Sequence, residues 1–437
     1  MVLFRRSAQP LVRLRVFLSI GIPGALAICL AAHAQTGTGA SQLTLDAAVK
    51  EAIRSNAGLL AERANISIAE ARVISARLRP NPVVSMEADH LDWLGTGFND
   101  ANGGGPTEIN VHTDFLIERG RKRQLRTETA RAAATVAELN YRNAVRSLAL
   151  DVQNAFVDAQ LARESVALAK SSLKSFQGIV EINTQRLRAG DVAEVELIRS
   201  RLAALQFQNS VRQAELRLKA ALLRLKVLMG RPRSSPSIEV ASEFRRDEAV
   251  ASIENLQKAA LELRPDIRSL RRDMVRSQYE VRLQLAQGKV DYVVGTEYRR
   301  QQVNASSNSL GFSFQFPLPV FNRNQGEIER ARREEQQSGL RVRAAETSLG
   351  GEVDDAYQQF QTARELLENI ERNMLQQARD VRDITEYAYR RGDSTLLELL
   401  DAQRAFNETM QGYNEARAEY ARNLYLLDAV TGKEVGQ

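Results

Sequence analysis

The sequence predicts a mainly α chain with β: very long coiled-coil helices forming an α-barrel, plus four strands that must be completed by other copies. Three observations carry this: proline-free stretches of helical composition, four segments alternating apolar and polar residues, and a plan that occurs twice. Prolines fall at 10, 23, 80, 82, 106, 232, 236, 265, 317 and 319, leaving none between Pro106 and Pro232 or after Pro319. Those stretches, rich in Ala, Leu, Glu, Arg and Gln, are strong helix formers. With 6% aromatics, 26% charged residues, one Trp and one Cys in 437 residues, collagenous and disulfide-rich classes are excluded.

The chain opens with a basic, then apolar segment. Residues 1–34 carry Arg5, Arg6, Arg13 and Arg15 and no acid, then an apolar run from Val16 and Ala32-His33-Ala34. That is the layout of a secretory signal peptide cleaved after Ala34. Cys29 lies within the apolar run, where Ala27-Ile28 is a poor lipidation context. Cleavage leaves 56 basic against 54 acidic residues, so the net charge of +6 falls to +2 and no nucleic acid partner is implied. The mature chain then holds no cysteine, which removes disulfides and thiolate metal sites.

No run of 18 apolar residues follows Ala34. Four segments instead have period two: Pro82–His90, Glu108–Ile117, Val290–Tyr298 and Leu310–Leu318. In the last, Leu310, Phe312, Phe314, Phe316 and Leu318 oppose Gly311, Ser313 and Gln315. Period two over about 9–10 residues suits a membrane β-strand and equally a half-buried strand of a soluble sheet. The strands form hairpins at 81–117 and 290–318, the first with a glycine-rich loop.

Helical spacing surrounds each hairpin. Asp46–Arg79 and Ile253–Gln287 precede them; helices 119–188 and 321–391 follow, each about 105 Å long at 1.5 Å per residue. Leu173, Phe176, Val180 and Leu187, and Leu366, Ile370, Met374, Val381 and Ile384, form coiled-coil stripes. Return helices span 192–229 and 393–431. Arg188-Ala189-Gly190-Asp191 matches Arg390-Arg391-Gly392-Asp393 at an offset of 202, as Met229-Gly230 matches Thr431-Gly432. The expected organisation is a first repeat at 35–230, a linker at 231–252, a second repeat at 253–432 and a tail at 433–437. At the matched turns, Gly ends one helix and Asp caps the next. Four strands cannot close a barrel, and open edges are not tolerated in a bilayer, so subunits must pool strands.

No GxxxxGK[ST], GxGxxG or GxSxG motif occurs, and no catalytic residue, cofactor or metal site is assigned. His90 and His112, both in expected strands, read as structural or lumen residues, and Met86, Met229, Met274, Met374 and Met410 as core filler.

Leu78-Arg79-Pro80-Asn81-Pro82 entering the first strand, Pro317 to Gly326 leaving the fourth, and the duplicated plan resemble the TolC-like outer-membrane factors over about 42 to 432. These are exit ducts of tripartite efflux pumps, and the two motifs resemble the cobalt–zinc–cadmium and copper subgroup. The first half departs at the matching turn, Ile117 to Arg123, but keeps Gly plus a basic pair. The resemblance implies a homotrimer with a shared twelve-stranded outer-membrane barrel, a helical tube in the periplasm, a periplasmic adaptor and an inner-membrane pump of the RND type. It also implies an adaptor-contact tip at Arg188, Gly190, Asp191, Arg391, Gly392, Asp393 and Ser394. In the best-known member two aspartates hold the offsets of Glu398 and Asp401 and ring the periplasmic constriction. The first-repeat equivalents are Glu196 and Arg199, with Arg199 a candidate partner for the acids. The alternatives are an exported periplasmic coiled-coil adaptor or structural protein, and a duct for drugs or type I protein secretion.

Overall fold

A computed structural model of the chain describes residues 42–91, 93, 95, 105, 107–232, 234–247, 250–302 and 306–433. The expected signal peptide with Cys29, most of the first hairpin loop and nearly all of the short tail lie outside the described residues. The first repeat comprises α1 (Leu45–Ser55), α2 (Ala57–Arg77), β1 (Val83–Asp89), β2 (Thr107–Ile117), α3 (Lys122–Ala189) and α4 (Glu194–Leu228). The second comprises α5 (Ile253–Leu263), α6 (Pro265–Gln287), β3 (Tyr292–Gln302), β4 (Ser306–Gln315), α7 (Gln325–Asn369), a π-helical turn (Ile370–Met374), α8 (Leu375–Arg391) and α9 (Leu396–Val430).

Several element bounds differ from expectation for local reasons. The helix expected over 46–79 breaks at Asn56, whose Oδ1 accepts from Leu59 N–H while its Nδ2 donates to Leu228 O. The helix expected over 253–287 breaks before Pro265, which has no N–H to donate and opens α6 at its first turn. The helix expected over 321–391 starts only at Gln325, after Asn324 in the left-handed region, and is interrupted by the π turn. His90 lies just past β1 with a φ of 54° rather than within the strand.

Each return helix ends on a left-handed glycine set close against neighbouring backbone. Gly230 (φ +72°) would place a Cβ 2.4 Å from Ser55 O, against the α1–α2 break. Gly432 (φ +75°) would place one 2.9 Å from Arg264 N, against the α5–α6 break. The repeats therefore close by the same device. Around these closures lie two main cores: Ala48, Val49, Ala52, Val152, Phe156, Leu225 and Met229 in the first repeat, and Ile267, Val353, Phe360, Leu367, Tyr420 and Leu424 in the second. The linker joins them. Leu43 bridges to Val240, Gln160 donates to Ala241 O and Glu243 O, Arg245 pairs with Asp428 at 2.6 Å, and Arg246 with Glu371 at 2.9 Å.

The strands form one antiparallel sheet in the order β1-β2-β3-β4. The hairpins meet through β2 and β3, with Phe115 opposite Val294 and Thr113 opposite Thr296. Register puts Val84, Met86, Val111, Phe115, Val294, Tyr298, Phe312 and Phe314 on one face. That face is bare: Met86 is 75% exposed and Phe312 79%. The opposite face carries Glu87, Asn110, His112, Asp114, Glu297 and Arg299. Below the sheet, Asp291 accepts from Arg119 N–H at 2.8 Å and from Lys122 Nζ at 2.7 Å, tying β3 to the start of α3.

We expect Gly230→Ala to lower the melting temperature of the purified protein sharply, since backbone strain of about 1–2 kcal/mol adds to a backbone clash. Gly190→Ala, where a Cβ meets open space, should carry the strain alone and cost less. Thermal unfolding followed by circular dichroism compares the two directly.

Candidate functional site

Both long helices end in the same way, far from the sheet. At α3, Gly190 (φ 84°) follows the last turn and Asp191 N–H donates back to Arg186 O at 2.8 Å. At α8, Gly392 (φ 89°) does the same and Asp393 N–H donates to Ala388 O at 2.9 Å. A left-handed glycine closing with a six-to-one bond is how a helix turns without losing its last carbonyls. The aspartates do not cap the helices that follow. The N-cap residues are Ala193, without a side-chain bond, and Thr395.

Thr395 forms a full capping box. Its Oγ accepts from Glu398 N–H, while the Glu398 carboxylate accepts from Thr395 N–H at 2.8 Å and from Ser394 Oγ at 2.6 Å. These donors, the Ser394 hydroxyl first and then Thr395, hold the Glu398 carboxyl below the usual carboxylate range. Glu398 is thus turned back into its own helix start, while Asp401 is exposed and 3.7 Å from Arg404. Arg199 is exposed, and among the described residues no ion pair joins it to Glu398 or Asp401. Arg188, Gly190, Asp191, Arg391, Gly392 and Asp393 are all exposed, and Ser394 is half-buried. Arg391 stacks on Tyr387.

Glu196 meets a different group. Tyr389, only 1% exposed, donates its hydroxyl to Asn183 Oδ1 at 2.7 Å, and that hydroxyl lies 3.4 Å from Glu196 Oε1. Burial raises the Tyr389 pKa, so the phenol stays a donor at physiological pH. The Arg186 guanidinium lies over the Tyr389 ring and donates to its carbonyl at 3.3 Å. A Cβ on Gly392 would fall 2.6 Å from Arg186 Nη2. Ile179, Leu396 and Leu399 enclose the ring. Tyr389 therefore joins α8 to α3 and α4, linking the two repeats at the tip. Sequence reasoning missed Tyr389, Asn183 and Arg186. The available signal was that Tyr389 stands where the first repeat has Leu187, at the same distance before the turn glycine.

On the sheet, His112 Nε2 lies 3.4 Å from Glu297, which also pairs with Arg299 at 2.9 Å. Asn110 is buried beside them with Oδ1 unpartnered. Among the described residues no group of His, Cys, Asp and Glu is arranged to hold a metal ion, and no helix is long and apolar enough to cross a membrane.

The sequence matches the family described as outer membrane efflux protein over residues 48–231 and 256–433. It is 24% identical to the cobalt-zinc-cadmium resistance protein CzcC of Cupriavidus metallidurans, over 96% of this chain and all of that one. It is 23% identical to nodulation protein T of Rhizobium leguminosarum bv. trifolii, over 84% of this chain and 79% of that one. The fold superposes on CusC, a structure described with its transmembrane channel formation, with a TM-score of 0.73 at 19% identity, covering 89% and 92% of the two chains.

The Glu398 cap has a defined pH dependence. Because its folded pKa is depressed, its contribution is complete above the ordinary value of 4.5 and is lost as pH falls through the folded value. Hydrogen-exchange protection of the first α9 amides, corrected for intrinsic rates, should hold through pH 4.5 and drop only at lower pH. In Glu398→Gln that step should be absent.

Proposed function

The chain belongs to the outer membrane efflux protein family, and from that premise we propose that it is the exit duct of a tripartite efflux pump for heavy-metal cations. Three copies pool their strands into a twelve-stranded barrel, and α3, α4, α7, α8 and α9 line a periplasmic tube. A periplasmic adaptor engages the tip turns, and an inner-membrane pump of the RND type supplies the energy. The observation that carries this reading is the bare apolar sheet face, open at both edges and continuous with helices of up to 68 residues, about 100 Å. The return helix α4 adds a row of exposed Val195, Ile198, Leu202 and Leu205, and α8 exposes Val381 and Ile384. Such rows need neighbours along their length, as protomers in a tube supply. The likeness to CzcC and the motifs at Leu78–Pro82 and Pro317–Gly326 favour metal cations as the cargo.

Cargo is tested by expression with a metal-type RND pump and its adaptor, and separately with a drug-type pair, in a metal-sensitive, drug-sensitive host. Raised tolerance to zinc, cobalt or cadmium supports the assignment; raised drug tolerance alone overturns it. Bulky substitution at Gly190 and Gly392 together should abolish efflux while trimers persist on native gels, because the turns meet the adaptor.

The tip also serves as the closed gate. Tyr389 ties the two repeats together through Asn183, Arg186 and Glu196, and Asp401 lies nine residues past Gly392 on the same hairpin. In a trimer, Glu398 and Asp401 place six carboxylates near the constriction, which favours cations. Tyr389→Phe with Glu196→Gln should raise single-channel conductance in planar bilayers severalfold. Glu398→Ala with Asp401→Ala should weaken cation selectivity and divalent-cation block. Recordings indistinguishable from the parent would remove the gate from these residues.

A further inference from the structure

The turn that leads from β2 into α3 borders a cavity of about 320 Å³ that solute passage does not use. Its lining joins three guanidinium groups, Arg79, Arg121 and Arg123, to two apolar side chains, Leu116 and Ile117. Two further charges on the lining are already neutralised: Glu118 pairs with Arg126 at 2.8 Å and Lys122 with Asp291 at 2.7 Å. Among the described residues the Arg79, Arg121 and Arg123 side chains have no such partner. Arg123 also lines the adjoining cavity with Arg77, where the acid present, Glu128, is held by Arg131 at 2.7 Å. Uncompensated positive charge is therefore concentrated at one place in the fold, and it favours an anion there.

The helix start adds to the same field. The N-cap of α3 is Arg121, in the left-handed region, with no side-chain bond to the first turn and no acid within it. The second repeat satisfies its counterpart internally. Before α7, Arg323 N–H donates to Gln325 Oε1 and Asn324 N–H to Asn322 Oδ1, and Glu327 lies in the first turn. Arg323 Nε is engaged too, by Pro319 O. A neighbouring copy does not supply the anion either. In the trimer the segment after β4 of the adjacent copy lies nearest Arg79, and residues 316–326 contain no acid. The next two acids, Glu327 and Glu329, are held by Arg330 and Arg333 at 2.7 Å.

The apolar part of the lining identifies the anion. Ile117 lies opposite Tyr292 on the same face as Phe115, so the cavity adjoins the bare apolar face of the sheet. Leu116 and Ile117 are themselves exposed. A free oxyanion gains nothing from such a wall, whereas a headgroup carrying acyl chains does. The cavity also lies where strands give way to helices, the level at which a sheet crossing the outer membrane meets headgroups. Resting on the outer-membrane trimer above, we propose that the cavity binds the phosphodiester of a glycerophospholipid of the periplasmic leaflet, one per copy. Arg79, Arg121 and Arg123 take the phosphate oxygens, and Leu116 and Ile117 take the first methylenes. Guanidinium suits this ligand because its planar fork of donors matches two phosphate oxygens at once. Basic pockets at a membrane surface recognise headgroups in this way.

Native mass spectrometry of the full chain, released from detergent after incubation with dioleoyl phosphatidylglycerol, reads assembly and lipid together. The expected species is a trimer retaining one lipid per copy. Dioleoylglycerol keeps the acyl chains but lacks the phosphate, and should be retained at least about tenfold more weakly; equal retention overturns the headgroup contact. Inorganic phosphate at the same concentration should leave the lipid in place; displacement assigns the cavity to free phosphate and overturns the lipid. Arg79→Gln with Arg121→Gln and Arg123→Gln should weaken retention of the phosphatidylglycerol at least about tenfold. Arg332→Gln, which removes an exposed guanidinium outside the cavity, should leave it unchanged. Undiminished retention in the triple variant removes the site, and if that variant does not assemble, the two ligand comparisons on the parent protein decide. A trimer without lipid removes the site and leaves the duct; a monomer removes the duct, and the leaflet assigned to the site with it.

Discussion

Unmet backbone hydrogen bonding at the two edges of the sheet is the constraint on which the rest of the structure depends. β1 and β4 each pair on one side only, while the apolar face of the same sheet lies bare. In water an open edge is tolerable; in hydrocarbon each unmet N–H or C=O costs several kcal/mol. The chain is therefore incomplete alone in the only solvent that suits its apolar face. The helices share this incompleteness. Their buried cores gather around the α1–α2 and α5–α6 breaks and the linker, whereas Ile198, Leu202, Val381 and Ile384 lie exposed towards the tip. A helix of 68 residues cannot be enclosed by a single chain.

Duplication gives the chain two copies of one plan, joined where β2 pairs with β3. What the two copies of the plan hold in common is closure: a left-handed glycine at each tip and a crowded glycine at each return-helix end. What they do not hold in common lies where repeats abut. Gly120 against Phe321 and Asp291 against Asn81 distinguish the junction below the sheet, and Leu187 against Tyr389 distinguishes the tip. A junction inside one chain forms as that chain folds and can be tight and ionic.

Most of the fold was legible because its signals are periodic and long. Period two located all four strands to within a few residues, and the face it assigned to Leu310, Phe312 and Phe314 is the face observed. Helix interruptions were less legible. Pro265 marks one break in plain sight, but the break at Asn56 depends on an amide reaching Leu228, which is 172 residues away. The π turn at 370–374 has no proline or glycine to announce it. The tip shows the same limit. Glycine spacing located both turns, yet the acid offsets treated Glu398 as free to project when Ser394 and Thr395 hold its carboxylate in a capping box. Spacing marks Tyr389 only as the counterpart of Leu187; its partners, Asn183 and Glu196, belong to the other repeat and leave no local pattern.

The polar character of the Tyr389 contact decides what the tip can do. An apolar residue at position 389, as Leu187 is in the first repeat, would seal the same space by packing alone. Instead a phenol reaches Asn183 and Glu196, and Asn183, fully buried, keeps its Nδ2 without a partner. An unpaired buried donor costs about 1–3 kcal/mol, so the joint between the repeats at the tip is a network only partly satisfied. The opposite ends of α4 and α9 differ, since Gly230 and Gly432 lie against neighbouring backbone and the contact there is steric rather than polar.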